Sequence, residues 1–157
     1  MKTKSKIRSI LAAVLAVCLM LQMVVGLNIT AFAADPALSV TNLEVESSVN
    51  PLGIDNTTPN FSWKIDSSER GVTQKSYHIQ VATSQENLKN GPYVWDSNVV
   101  ESDQSVNIVY NGEALQPTTR YFWQVTVTDN KGNTATSSEE AYWETGLMET
   151  NWSAEIG

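Results

Sequence analysis

Few residues of this chain are of the types that do chemistry, and their spacing argues against most of it. His78 is the single histidine among 157 residues. A nucleophilic triad needs a histidine base beside its nucleophile, but Tyr77, Ile79 and Val81 alternate with His78 and turn it away from the apolar side. It reads as an ordinary surface histidine. Hydrolysis of a glycosidic bond needs two carboxylates facing each other across a cleft. The acid pairs Glu139-Glu140, Glu101/Asp103 and Asp66/Glu69 all fall in turns or at strand ends, where solvated charge accounts for them. Asp129-Asn130-Lys131-Gly132-Asn133 is oxygen-rich like a calcium loop, yet lacks the ordered ligand series and distal bidentate glutamate of one. A hairpin turn explains it. With one histidine and one cysteine (Cys18) in the whole chain, a zinc site of ordinary composition is not expected either. No catalytic residue, cofactor or metal ligand is assigned.

Stacking is the remaining chemistry. A sugar ring can lie on an exposed aromatic face, and Trp95, Phe122, Tyr142 and Trp143 are the rings to consider. Phe122 leads them, because alternation in its strand turns it away from Trp123. The plainer reading packs these rings in the core or against a neighbouring domain. Phe122, Trp95 and Trp143 stand as candidate carbohydrate or interdomain contacts.

The elements that hold these residues are strands. Apolar and polar residues alternate through Leu38–Val40, Leu43–Val45, Phe61–Ile65, Tyr77–Val81 and Tyr121–Val127. Tyr93–Trp95, the set Val106/Ile108/Tyr110 and Ala141–Thr145 add shorter runs. Period-two runs rich in β-branched and aromatic side chains are half-buried strands. Turn clusters separate them, among them Asn50-Pro51-Leu52-Gly53, Asn90-Gly91-Pro92 and Asn111-Gly112. One helical turn is expected near Gln85 to Lys89. About seven strands with turns every 8 to 12 residues predict an all-β, antiparallel two-sheet sandwich of the fibronectin type III or immunoglobulin kind. Leu115-x-Pro117-x-Thr119-x-Tyr121 leads into the longest strand as a tyrosine corner does, with the Tyr hydroxyl bonding back upstream. Trp63 is the expected central core aromatic.

The N-terminus speaks to compartment. Lys2, Lys4, Lys6 and Arg8 precede an apolar stretch from Ile10 to Leu27, and Ala31-Phe32-Ala33 offers small residues at the −3 and −1 positions. This is the pattern of a secretory signal cleaved after Ala33. An uncleaved anchor would need the same apolar run to span a bilayer, and the A-x-A site favours cleavage. A lipoprotein would use Cys18, but Val17 stands where a small residue is wanted. The expected organisation is a signal peptide (1–33), a short linker (34–37), the sandwich (38–147) and a linker toward a further domain (148–157). Four of the 10 basic residues and none of the 17 acids lie in 1–33, so the remainder carries a net charge of −11. Such a surface repels nucleic acid and anionic membranes, and neither is an expected partner. Removal of Cys18 with the signal leaves no disulfide, so apolar packing must hold the sandwich together.

Several motifs, in order, resemble the opening of bacterial α-L-rhamnosidases (glycoside hydrolase family 78). They are Leu43-Glu44-Val45-Glu46, Asn50-Pro51-Leu52-Gly53-Ile54-Asp55 and Pro59-x-Phe61-Ser62-Trp63-Lys64, then Glu69-Arg70-Gly71-Val72-x-Gln74 and Tyr77-x-Ile79-x-Val81-Ala82. Trp95-Asp96-Ser97, Glu101-Ser102-Asp103-Gln104-Ser105 and Glu144-Thr145-Gly146-Leu147 complete the set. The resemblance runs from about Leu38 to Gly157. It implies an N-terminal immunoglobulin- or fibronectin-like domain, followed in that family by further β-sandwiches and an (α/α)₆ barrel. In that barrel an inverting pair of glutamates cleaves terminal α-L-rhamnose, and none of those positions occurs here. The family continues through W-x-A-x-W-I-G, whereas Trp152-Ser153-Ala154-Glu155-Ile156-Gly157 lacks the second tryptophan. The resemblance implies a secreted bacterial accessory module whose partners are the neighbouring domains of a rhamnosidase. A free-standing binding or spacer module that contacts rhamnose-containing polysaccharide is the alternative.

Overall fold

A computed structural model describes residues 37–148. The expected signal segment, and all but one residue of each expected linker, lie outside this range. Nine strands and one short helix make up the described part: β1 (Ser39–Val45), β2 (Asn60–Asp66), β3 (Gln74–Ala82), α1 (Gln85–Asn90), β4 (Trp95–Asp96), β5 (Val100–Glu101), β6 (Ile108–Val109), β7 (Arg120–Asp129), β8 (Thr134–Thr136) and β9 (Ala141–Glu144). They form two antiparallel sheets. One has the order β1-β2-β6. In the other, β3 and β7 are central, with β4 and β5 along the free side of β3 and β8 and β9 along the free side of β7.

Alternation explains the long strands. In β7, Tyr121, Trp123, Val125, Val127 and Asp129 point inward and are buried, while the residues between them reach the surface. The two expected runs at 38–45 are one strand, kinked by a register shift between Thr41 and Glu44, where Asn42 adopts φ +51°. The one extra residue there lets Val40, Leu43 and Val45 all face the core. The run around Val106 is shorter than expected. Val106 is 54 % exposed, and pairing begins only at Ile108.

The core is aromatic. Phe61 is wholly buried, with ring centroids of Trp123 at 4.7 Å, Trp143 at 5.3 Å, Trp95 at 5.7 Å and Tyr110 at 6.4 Å. Three of these four contacts are tilted or edge-on, the arrangement that brings a positive ring edge to a negative face. Trp63 is 2 % exposed and packs against Tyr77 at 5.2 Å, as the expected core aromatic.

Two polar devices close the sandwich. The Gln116 amide N–H donates to the Tyr121 hydroxyl at 2.8 Å, with Leu115 buried beside it, which is the tyrosine corner. Tyr121→Phe removes this bond from the Gln116 amide and is expected to lower stability by about 0.5–1.5 kcal/mol, read as a drop in the urea midpoint with unchanged slope. The second device is Asp129 at the β7–β8 turn. Its Oδ1 accepts from the Lys131 and Asn133 amides, each at 2.8 Å, and its Oδ2 from Asn133 Nδ2 at 2.9 Å. Burial pushes this carboxyl up, but the hydrogen bonds from Asn133, Lys131 and Gly132 outweigh it and hold the group below the usual carboxylate range. A depressed folded-state value stabilises the fold above the unfolded value of about 3.9, and that contribution is lost as pH falls through the folded value. Acid titration followed by circular dichroism should therefore show Asp129→Asn less stable than the parent at neutral pH. The variant's stability should also fall less steeply below about pH 4.

Candidate functional site

The outward face of the β3–β7 sheet carries the exposed side chains. Cross-strand neighbours on it pair by type. Gln124 Nε2 donates to Gln80 Oε1 at 2.9 Å, and the Thr126 and Thr136 hydroxyls meet at 2.8 Å. Arg120 reaches Glu144 at 3.1 Å and lies with its guanidinium carbon 4.5 Å from the Tyr142 ring centre. His78 Nε2 lies 2.6 Å from Asp96 Oδ1. Burial raises the Asp96 carboxyl, yet hydrogen bonds from the Asn98 amide, His78 and Gln80 bring it below its ordinary value. His78 thus faces outward as its alternation predicts, tied to a carboxylate with no serine or cysteine nucleophile in its hydrogen bonds.

Of the three aromatic candidates, Phe122 alone keeps a surface face. Trp143 is 0 % exposed and Trp95 is 9 % exposed, and both pack edge-on or tilted against Phe61 inside the core. This corrects the expectation that they offer contact surface. Each sits at an inward position of its strand, opposite Tyr121 on β7 and Val81 on β3 respectively, and the aromatic core takes both rings. Phe122 pairs with Tyr142 across β7–β9, with ring centres 6.2 Å apart.

Phe122 and Gln124 floor an open groove of about 230 Å³. One wall is α1, which presents Gln85, Leu88 and Lys89. Ser84 starts that helix by accepting the Asn87 amide at 3.0 Å, the geometry of an N-cap. The other wall is the crossing from β8 to β9 at Ser137, Ser138, Glu139, Glu140 and Ala141. Ser137 is pinned to the sheet, donating its amide to the Val125 carbonyl at 2.9 Å and accepting the Val125 amide at its Oγ at 3.2 Å. Alternation along β7 already places Gln124 beside Phe122. The two walls come from segments far apart in sequence, and no local pattern in either points at the other.

Of the acid pairs, Glu139 and Glu140 lie in the groove wall, while Asp66 and Glu69 are held elsewhere. Glu69 accepts from Lys131 Nζ at 2.6 Å, and Asp66 accepts from the Thr41 hydroxyl at 2.9 Å. Among the described residues, no group of three or more His, Cys, Asp or Glu is placed to hold a metal ion. No helix among them is long and apolar enough to cross a membrane.

The motif residues singled out in the sequence are mostly fixtures of the frame. Gln74 is 6 % exposed; its Oε1 accepts Trp63 Nε1–H at 2.9 Å, and its Nε2 donates to the Ser102 and Gln104 carbonyls at 3.0 and 2.8 Å. The Asn50–Asp55 and Glu144–Leu147 motifs meet through a parallel bridge, Ile54 to Thr145, and the Gly146 amide donates to the Ile54 carbonyl at 2.9 Å. A Cβ on Gly146 would displace the Asp55 carboxylate and lie 3.2 Å from the Gly53 carbonyl, so glycine lets the two segments approach without disturbing either.

Two antiparallel sheets closed over one aromatic core, joined at a tyrosine corner, define an immunoglobulin-like β-sandwich module. Residues 40–149 match the family described as Rha78A-like, N-terminal immunoglobulin domain, and the chain belongs to that family. An α-L-rhamnosidase of Streptomyces avermitilis is 45 % identical over 119 residues, covering 75 % of this chain and 12 % of that protein. One from Formosa agariphila is 41 % identical over 105 residues, covering 66 % of this chain and 11 % of its own. The crystal structure of the Streptomyces avermitilis enzyme complexed with L-rhamnose superposes with a TM-score of 0.68 at 45 % identity, over 71 % of this chain and 11 % of that one. The structure of α-L-rhamnosidase from Dictyoglumus thermophilum gives 0.67 at 37 % identity, over 71 % and 13 %. This chain thus matches only about an eighth of the length of these relatives, in the part that forms an N-terminal immunoglobulin-like domain.

Proposed function

We propose that the chain acts as a non-catalytic N-terminal module of the kind carried by secreted α-L-rhamnosidases, which would hydrolyse terminal α-L-rhamnose with inversion in a separate barrel domain. The match to the rhamnosidase N-terminal domain family along nearly the whole sandwich carries this reading. It is supported by the use of the motif residues as frame rather than as reactive groups. The organisation that goes with it is a signal peptide over 1–33, a linker over 34–37, the sandwich over 38–147 and a connecting segment from 148. Export to an extracellular, bacterial setting rests on the n-region, the apolar run and the A-x-A site. Purified chain is expected to release no nitrophenol from an aryl α-L-rhamnoside. Turnover that persists through repurification would overturn the non-catalytic assignment. Mass spectrometry of the exported product tests the signal: an N-terminus at Ala34 is expected, and a retained Met1 would reject cleavage.

A further inference from the structure

We propose that the groove floored by Phe122 and Gln124 is a binding subsite for one pyranose unit of a glycan, with the Phe122 ring as its stacking platform. Three features of the groove point to that ligand class. Its volume of about 230 Å³ suits a single sugar ring. Its lining mixes the apolar side chains of Phe122 and Leu88 with the neutral polar groups of Gln85, Gln124, Ser137 and Ser138. A pyranose has the matching two-sided character, with a C–H face that packs on an aromatic ring and a rim of hydroxyls that both donate and accept. Fully apolar ligands would bury the amides and hydroxyls unpaired. Strongly anionic ligands would meet Glu139 and Glu140 on the rim.

Preorganisation strengthens the case. The Gln124 amide is held by its bond to Gln80 Oε1, and Ser137 is doubly bonded to the Val125 backbone. The floor lies on the central strand β7, and α1 is capped and packed on β3 and β7. Polar groups fixed before binding cost less to order when a ligand arrives. Lys89 and the two glutamates at the rim give both a cation and carboxylates to a ring's hydroxyls.

Only the choice of rhamnose as first probe rests on the function proposed above; the pyranose class rests on the groove. The test is a titration of the ¹⁵N-labelled chain with methyl α-L-rhamnopyranoside, methyl β-D-galactopyranoside and glycerol, followed by amide chemical shifts. Saturable millimolar shifts confined to Leu88, Phe122–Gln124 and Ser137–Ala141 are expected with a pyranoside and not with glycerol. Phe122→Ala should weaken binding about tenfold or more, the scale of a lost aromatic contact. Gln124→Ala, which spares the ring, should weaken it severalfold while the spectrum stays folded. Saturable shifts with the galactoside alone would sustain the subsite and reject rhamnose as its sugar. Absent shifts, shifts scattered over the surface, an equal response to glycerol, or an unchanged titration in both variants would overturn the subsite and leave the module assignment standing.

Discussion

Phe61→Ala is expected to lower the stability of the sandwich by about 3–5 kcal/mol, the largest effect of any single change considered. Phe61 is wholly buried on the three-stranded sheet and touches four other rings, of which Trp95, Trp123 and Trp143 belong to the facing sheet. Truncation removes the transfer free energy of the ring and leaves a void that rigid indoles cannot close. The edge-on contacts add about 0.5–1.5 kcal/mol each beyond burial. Phe61→Leu, which keeps most of the volume, should cost about half as much or less. With domain stabilities typically about 5–15 kcal/mol, the alanine variant should lose a third or more of its stability and unfold at a markedly lower urea concentration. Urea melts monitored by tryptophan fluorescence would decide it. A loss near 1 kcal/mol would mean that the two sheets are not held by this cluster.

Gln74→Leu is the second, at about 2–4 kcal/mol. The side chain is nearly isosteric, so volume is kept and the loss is electrostatic. Gln74 is the hub of a buried network: its carbonyl takes the Trp63 indole N–H, and its amide supplies two loop carbonyls. Leucine strands all three partners, and the buried indole N–H suffers most because water does not reach it. A double-mutant cycle with Trp63→Phe isolates that bond. The coupling should be about 1 kcal/mol or more, since phenylalanine leaves no donor to strand. Additive losses would show that Gln74 acts only through the Ser102–Gln104 loop.

Much of this was legible in the sequence, for a physical reason that also marks the limit. Alternation identifies β2, β3 and β7 because a strand's side chains switch face at every residue. Leu115, Pro117 and Tyr121 announce the corner because its bond spans only five residues. Two strands escaped: β5 has two residues, and β8 is Thr134-Ala135-Thr136, with no large side chain to bury. The surface candidates were harder. Phe122 faces outward as its alternation requires, but Trp95 and Trp143 lie in strands of two and four residues. Runs that short carry no phase to say which face is buried.

Phe122 ended on the floor of a groove whose existence the chain's pattern does not contain. Composition and periodicity determined an all-β sandwich with an aromatic core, poor in the residues catalysis needs, because those properties are sums over local choices. Tertiary closure decided the rest. It brought α1 and the β8–β9 crossing to either side of β7, set Gln74 under the Trp63 indole, and joined Ile54 to Thr145 across the domain. Each of these depends on which distant segment arrives opposite, and only the packed chain specifies that.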